Sequence, residues 1–394
     1  MNGLKKFLIT VTIAVCAIIF SGCILNKTNN NIKILDGLKY EEKGNGYVVI
    51  GFEKDAEEAK NPTLVLPEKI DGKPLVEIGE NAFGECYEIE EVIIPNTVTR
   101  IGNTAFQWCY NLRNITIPDT VTEIGEGAFR WCYNLISVVI GAAVEEIGDQ
   151  AFYDCSKLIE IYNRSTLNIS TEMPEEGEEE IDGCASYYVK NVYTEEGGSK
   201  ISTDTEGYIY YTQGEEIFLV SYMGESKQLI IPEKTTRVYR YAFYNDDELE
   251  KVVFGSKITE IGECAFRGCD NLTEIEICKG LQKIGSGAFY SCDSLSYVEI
   301  PDTVTVIGGV AFMDCAELNS IVLGKGVEAI GTDAFVRCDN LGTVYYKGTA
   351  ETRSLLFAYG NTECLFSAKW YYYSEIELEA ENLWHYVSGI PTIW

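Results

Sequence analysis

Fourteen cysteines, one histidine and 61 carboxylates are what this chain of 394 residues offers for chemistry. A Ser-His-Asp relay or a His-ligated zinc site needs imidazole in company. His385 is alone, set between Trp384 and Tyr386. No G-x-S-x-G, Walker or H-E-x-x-H pattern occurs, and no C-x-x-C pair that would mark a zinc ribbon or a thioredoxin-like site. Eight cysteines instead form a series, each three residues after an Ala-Phe pair: Cys86, Cys109, Cys132, Cys155, Cys269, Cys292, Cys315 and Cys338. Asp246 takes that place after Phe243. Stacked on neighbouring coils, such cysteines would lie about 5 Å apart at Cα, close enough for a disulfide but with side chains pointing the same way. They read as a ladder of small, reduced, buried hydrophobes, which suits a reducing or anaerobic setting. With acidic residues this common, a pair of them marks no acid–base site. The chain therefore reads as non-catalytic, without cofactor or metal. Its net charge of -30 excludes nucleic acid as a partner.

What must position these residues is a repeat. The Ala-Phe phenylalanines fall at Phe83, Phe106, Phe129 and Phe152, then at Phe243, Phe266, Phe289, Phe312 and Phe335, every step within a group being 23 residues. One unit, from Ile117 to Val139, reads IPDTVTEIGEGAFRWCYNLISVV. Its apolar positions (Ile117, Val121, Ile124, Ala128, Phe129, Cys132, Leu135 and Val138) can make a continuous core only if units stack. The pattern predicts a solenoid in which Val138–Ile140 is a strand lying parallel to Ile115–Ile117, with a rise of about 4.8 Å per coil. Glu126–Cys132 is expected as a short helical or 3-10 turn, and Gly125 as the residue allowing a tight turn after Ile124. Leu38–Tyr40 with Tyr47–Phe52, and Tyr208–Tyr211 with Ile217–Tyr222, read as hairpins capping the N-terminal ends of two arrays.

The phrase I-P-x-x-V-x-x-I-G-x-x-A-F-x-x-C-x-x-L resembles the BspA-like leucine-rich-repeat proteins of bacterial cell surfaces. Before it, Lys5, Lys6 and the apolar run Phe7 to Phe20 form a signal peptide, and Phe20-Ser21-Gly22-Cys23 resembles a bacterial lipobox. The resemblance implies a lipid on Cys23 and an extracytoplasmic protein anchored to the cell envelope. The expected organisation is a signal peptide at 1–22, a tether at 23–34, a first array with its cap at 35–163, an acidic linker at 164–206, a second array with its cap at 207–346 and a C-terminal aromatic cap at 347–394. The linker's acidic run Glu172–Glu180 reads as solvated chain rather than a calcium site.

Function then falls to surfaces. In each strand the residue between two core positions points outward. Thr116, Val139 and Tyr162 belong to that row, with Ile93 before them and Val253, Glu276, Glu299, Val322 and Tyr345 in the second array. Trp108 and Trp131, with Tyr110 and Tyr133 two residues on, form a second candidate. These aromatics suit a ligand face or the closing of the turn over the core. The family resemblance implies a surface recognition or adhesion protein whose partner is a host or microbial surface protein or glycan. A scaffolding lipoprotein of the cell's own envelope is the alternative.

Overall fold

The computed structural model describes residues 32–53, 61–169, 189–194, 198–354, 356–361, 363–375 and 382–394. Cys23 and the run Glu172–Glu180 lie outside them. The chain is a solenoid of leucine-rich repeats in two arrays, and each coil contributes backbone to three ladders. The first is the expected one: Glu91–Ile93, Asn114–Thr116, Ser137–Ile140 and Glu160–Asn163 pair in parallel. The second is built from two-residue strands such as Arg100–Ile101, Glu123–Ile124 and Glu146–Ile147, which place Ile101, Ile124 and Ile147 one above another.

The third ladder runs through the segment expected as a helical turn. Half of its bonds are of the 3-10 kind, as in Cys132 N–H to the Phe129 carbonyl at 3.2 Å. Every second N–H instead reaches the next coil: Thr104 to Glu126 (2.8 Å), Phe106 to Ala128 (2.7 Å) and Trp108 to Arg130 (2.9 Å). That alternation needs left-handed backbone at intervals of four residues. Thr104 (φ 52°) and Trp108 (φ 61°) adopt it, and so do Gly127 (58°) and Trp131 (62°) one coil later. The buried polar backbone is thereby satisfied between coils, as a segment enclosed on both sides requires.

Gly125 works differently from its expected role. It has no left-handed backbone; a Cβ there would lie 2.5 Å from the Asn103 nitrogen and 2.7 Å from the Gly102 carbonyl carbon. Gly102, Gly148, Gly262, Gly285, Gly308 and Gly331 show the same close approach. The glycine of each coil is there because backbones meet at that corner. Inside, the phenylalanines stack, with centroids 5.3 to 5.4 Å apart from Phe83 to Phe152 and 5.1 to 5.4 Å apart from Phe243 to Phe335.

The expected hairpins are present as Leu38–Lys43 with Gly46–Phe52 and as Tyr208–Gln213 with Glu216–Tyr222, each continuing in parallel into the first coil of its array. Two boundaries move. The segment expected as tether contributes Ile32–Leu35, antiparallel to Leu38–Lys43. The segment expected as linker contributes Asn191–Tyr193, which adds a parallel strand beside Glu160–Asn163, and Ile201–Thr203, which edges the second cap. All three strands cover strand edges that would otherwise be bare. The arrays also touch directly: Ile136 and Ile159 of the first pack with Ile209, Tyr211, Val220 and Tyr239 of the second.

Candidate binding faces

The outward row of the first array is a ridge with in-register rungs. Val65 stands beside Ile93, Thr116 beside Val139, Val139 beside Tyr162, and Tyr162 beside Tyr193. Alternation places Val92, Ile115, Val138 and Ile161 in the core, and the residues between them point out. Val65 and Ile93 are 59% and 48% exposed. Thr116 is exposed, and Val139, Tyr162 and Tyr193 are half-exposed. Six rungs at about 4.8 Å span roughly 24 Å. An apolar ridge of this length on a chain of net charge -30 is a surface feature that needs a reason.

The corresponding row of the second array begins open at Ile230, 64% exposed, and closes toward its C-terminal end. There the segment 347–394, expected as an end cap, does more than cover the end. Lys369–Tyr373 extends the sheet in parallel, Leu383–Val387 pairs with it through two residues, and the hairpin with Ile390–Ile393 packs over the outward face. Trp384 is fully buried with Val322 and Tyr371. Its indole N–H donates to the Tyr346 carbonyl at 3.1 Å. Glu299 accepts from the Tyr386 hydroxyl at 2.6 Å and from Lys347 Nζ at 2.8 Å. Burial alone would raise the Glu299 carboxyl; those two bonds, the Lys347 charge and a third bond from the Tyr297 hydroxyl together outweigh it and hold it below the usual range.

The second candidate, at the turn, is a self-stacked column. Trp108 and Trp131 lie 4.9 Å apart and 7° from parallel, both half-buried. The Arg130 guanidinium sits 3.8 Å over the Trp131 ring. Rings 4.9 Å apart leave no room for it between them, so Trp131 has Trp108 on one face and Arg130 on the other. The tyrosine column runs from Tyr87 through Tyr110 to Tyr133 with centroids 4.9 and 5.2 Å apart, and Tyr133 then meets Tyr244 of the second array at 5.3 Å. Burial, then the Asp154 carboxylate, pushes the Tyr133 phenol up. The faces on which a sugar would stack are mostly taken by neighbours in the column.

Three features escape a reading of residue types. Each ladder thiol from the second coil of its array onward donates to the phenylalanine carbonyl of the coil before: Cys109 to Phe83, Cys132 to Phe106, Cys155 to Phe129, Cys269 to Phe243, Cys292 to Phe266, Cys315 to Phe289 and Cys338 to Phe312, at 2.9 to 3.2 Å. Asp246 belongs to the first coil of the second array, where no such carbonyl precedes it, and that is where cysteine is dispensable. Lys157 is buried where the arrays meet, donating to Asn134 Oδ1 at 2.6 Å and to the Ala242 carbonyl at 2.7 Å. A groove of about 530 Å³ beside that junction is lined by Tyr211, Phe218 and Tyr239, and its Arg237 is paired with Glu216 and Glu260. Among the described residues no cluster of three or more His, Cys, Asp or Glu could hold a metal. His385 lies against Trp394, ring centroids 3.6 Å apart.

A profile of the BspA type leucine rich repeat region matches residues 76–174 and 229–362, in six copies. The chain belongs to this family. Its BspA-type coils are similar to those of a leucine rich cell surface protein from Faecalibacterium prausnitzii, at 19% identity over 84% of this chain and 98% of that one, TM-score 0.44. A Treponema pallidum leucine-rich-repeat protein is 30% identical over 41% of this chain and 82% of its own, TM-score 0.35. The pneumococcal vaccine antigen PcpA is 19% identical over 88% and 94%, TM-score 0.44. No curated protein matches the chain.

Proposed function

We propose that this BspA-type protein is a recognition protein of the bacterial cell surface that binds a host or microbial surface protein through the outward row of its first array. One observation carries the reading: the ridge from Val65 to Tyr193 is exposed or half-exposed at every rung, whereas the equivalent ridge of the second array, open at Ile230, is closed at its C-terminal end by the chain's own hairpin, which buries Val322 and Tyr371 and packs on Tyr345. The family supports surface recognition, and the stacked coils of a leucine-rich-repeat solenoid present an extended face of side chains suited to it. Aliphatic side chains at the Val65–Ile93 end favour a protein over a glycan, because their contribution comes from burial and not from stacking on sugar rings. Anchorage is assigned to a lipid on Cys23.

The test uses cells displaying the full chain. Ile93→Arg/Val139→Arg should reduce attachment to the target surface at least about tenfold, with a melting temperature within a few degrees of wild type. Trp108→Ala/Trp131→Ala should melt lower, since it empties a half-buried stack, yet still attach. Full attachment by a folded Ile93→Arg/Val139→Arg variant would refute the assignment of the ridge.

A further inference from the structure

The last rungs of the two arrays carry the same outward triplet. Val139, Tyr162 and Tyr193 stand side by side in the first array, and Val322, Tyr345 and Tyr371 in the second. Even the tyrosine pairs are alike, with ring centroids 5.3 Å apart and 30° inclined for Tyr162 and Tyr193, against 5.8 Å and 26° for Tyr345 and Tyr371. The difference is in what lies on them. In the second array Trp384 covers the triplet, its ring 5.3 Å from that of Tyr345, and Tyr386 reaches across to Glu299. In the first array the triplet is half-exposed: Gly198 lies against the Tyr193 ring, whose hydroxyl donates to Glu160 at 3.3 Å, and Val139 and Tyr162 carry no counterpart of the indole among the described residues. Thr116 occupies the place of Glu299 beside the valine, and Asn163 the place of Tyr346, whose carbonyl accepts the indole N–H.

We infer that the Val139–Tyr162–Tyr193 end of the ridge docks an extended segment of a partner protein that presents a tryptophan and, two residues on, a tyrosine. This rests on the first-array ridge being the binding face, and names what the partner lays on it. The chain itself shows the fit in Leu383–Val387: an indole spread over a valine and two tyrosines, its N–H on a strand-end carbonyl, and a phenol reaching the neighbouring rung. With Thr116 in place of Glu299 the phenol meets a hydroxyl. The chain's net charge of -30 selects a segment that is neutral or basic.

A fluorescein-labelled peptide with the sequence of residues 382–394 tests this by anisotropy against the full-length protein. The second-array triplet is already filled by the tethered hairpin, whose effective concentration is of millimolar order, so the peptide reports on the first. Saturable binding is expected, weakened at least about tenfold by Tyr162→Ala in the protein and by Trp384→Ala in the peptide, and unchanged by Tyr345→Ala in the protein. The peptide variant keeps the test valid should a protein variant misfold. No saturation at millimolar peptide, or binding that survives Tyr162→Ala and is lost with Tyr345→Ala, would overturn the inference. Such a failure alongside lost attachment by Ile93→Arg/Val139→Arg would leave the ridge as the binding face and exclude only this kind of segment.

Discussion

Lys157 offers the sharpest test of how the two arrays meet. Only 1% of it is exposed, and its two hydrogen bonds go to neutral acceptors, one on each array. Burial, reinforced by Arg113, pushes its ammonium down to about 7 from 10.5, with Asp246 and Cys269 acting in the opposite sense. Between those two values the unfolded chain holds a proton that the folded chain has released, so stability rises with pH. The slope approaches about 1.4 kcal/mol per pH unit, and from pH 7 to 8.5 the gain is about 1.5 kcal/mol once the partial titration at pH 7 is allowed for. The buried thiols work against it. Burial raises Cys109, Cys132, Cys269 and Cys315, so unfolded thiols ionise first above about pH 8.5 and stability falls. The quantity to measure is therefore the difference between wild type and Lys157→Met, in which the thiol contribution cancels. Urea melts in reductant should show wild type gaining about 1.5 kcal/mol on the variant between pH 7 and 8.5. A difference that stays flat over that window would mean the lysine keeps one charge state on folding, and the buried contact to Ala242 would be wrong.

Cys132→Ala should cost about 1–2 kcal/mol, from lost burial and the lost thiol bond to Phe106, while reductant leaves the wild-type melt unchanged; a large loss of stability on adding reductant would mean structural disulfides. Gly125→Ala should destabilise by about 2–3 kcal/mol, because its Cβ meets backbone on the coil below and that backbone cannot swing aside; a chemical melt within about 0.5 kcal/mol of wild type would disprove the close approach. Cys23→Ser should leave the protein unprocessed or release it into the medium. Fractionation showing it as membrane-bound and as fully processed as wild type would remove the lipid anchor.

The period, the core and the outward rows were legible because they repeat every 23 residues, and stacking turns sequence spacing directly into contact. The shorter strands were not. Glu123–Ile124 has too few residues to alternate, so nothing in V-T-E-I distinguishes a strand from a turn. The role of Gly125 was misplaced for a related reason: an I-G step fits a tight turn and a close approach equally well, and only the position of the next coil decides. The cysteine ladder was found, but not its hydrogen bonds, since the acceptor is a backbone carbonyl 26 residues earlier. Lys157 carries a sequence signal of its own. It sits where the coils before it carry Asn111 and Asn134, and a change of residue at a fixed repeat position marks a place where the environment changes too. The aromatic tail announced a cap without saying which surface it would cover.

That last point bears on why an open ridge should exist at all. A stack of parallel strands must close its final edge, or it invites pairing with another chain. The second array does so with Lys369–Tyr373 and a hairpin folded over the outward face, burying Val322 and Tyr371 and packing on half-buried Tyr345. Among the described residues, the first array closes its edge with the single strand Asn191–Tyr193. The segment that follows is held by buried Glu160, which accepts from the Ser199 hydroxyl and the Lys200 N–H, both at 2.8 Å. Among the described residues, edge closure in the first array leaves Val139, Tyr162 and Tyr193 half-exposed, with Gly198 against the Tyr193 ring but no counterpart of the Trp384 hairpin over Val139 and Tyr162. The chain has a way to bury those side chains and uses it once. The uncovered part of a valine and two tyrosines left in line with Ile93 and Val65 is apolar area that the solenoid does not bury and that lowers its solubility. What they do provide is a preformed apolar site on a rigid sheet, where a partner's side chains can be buried with little loss of conformational entropy on this side of the interface.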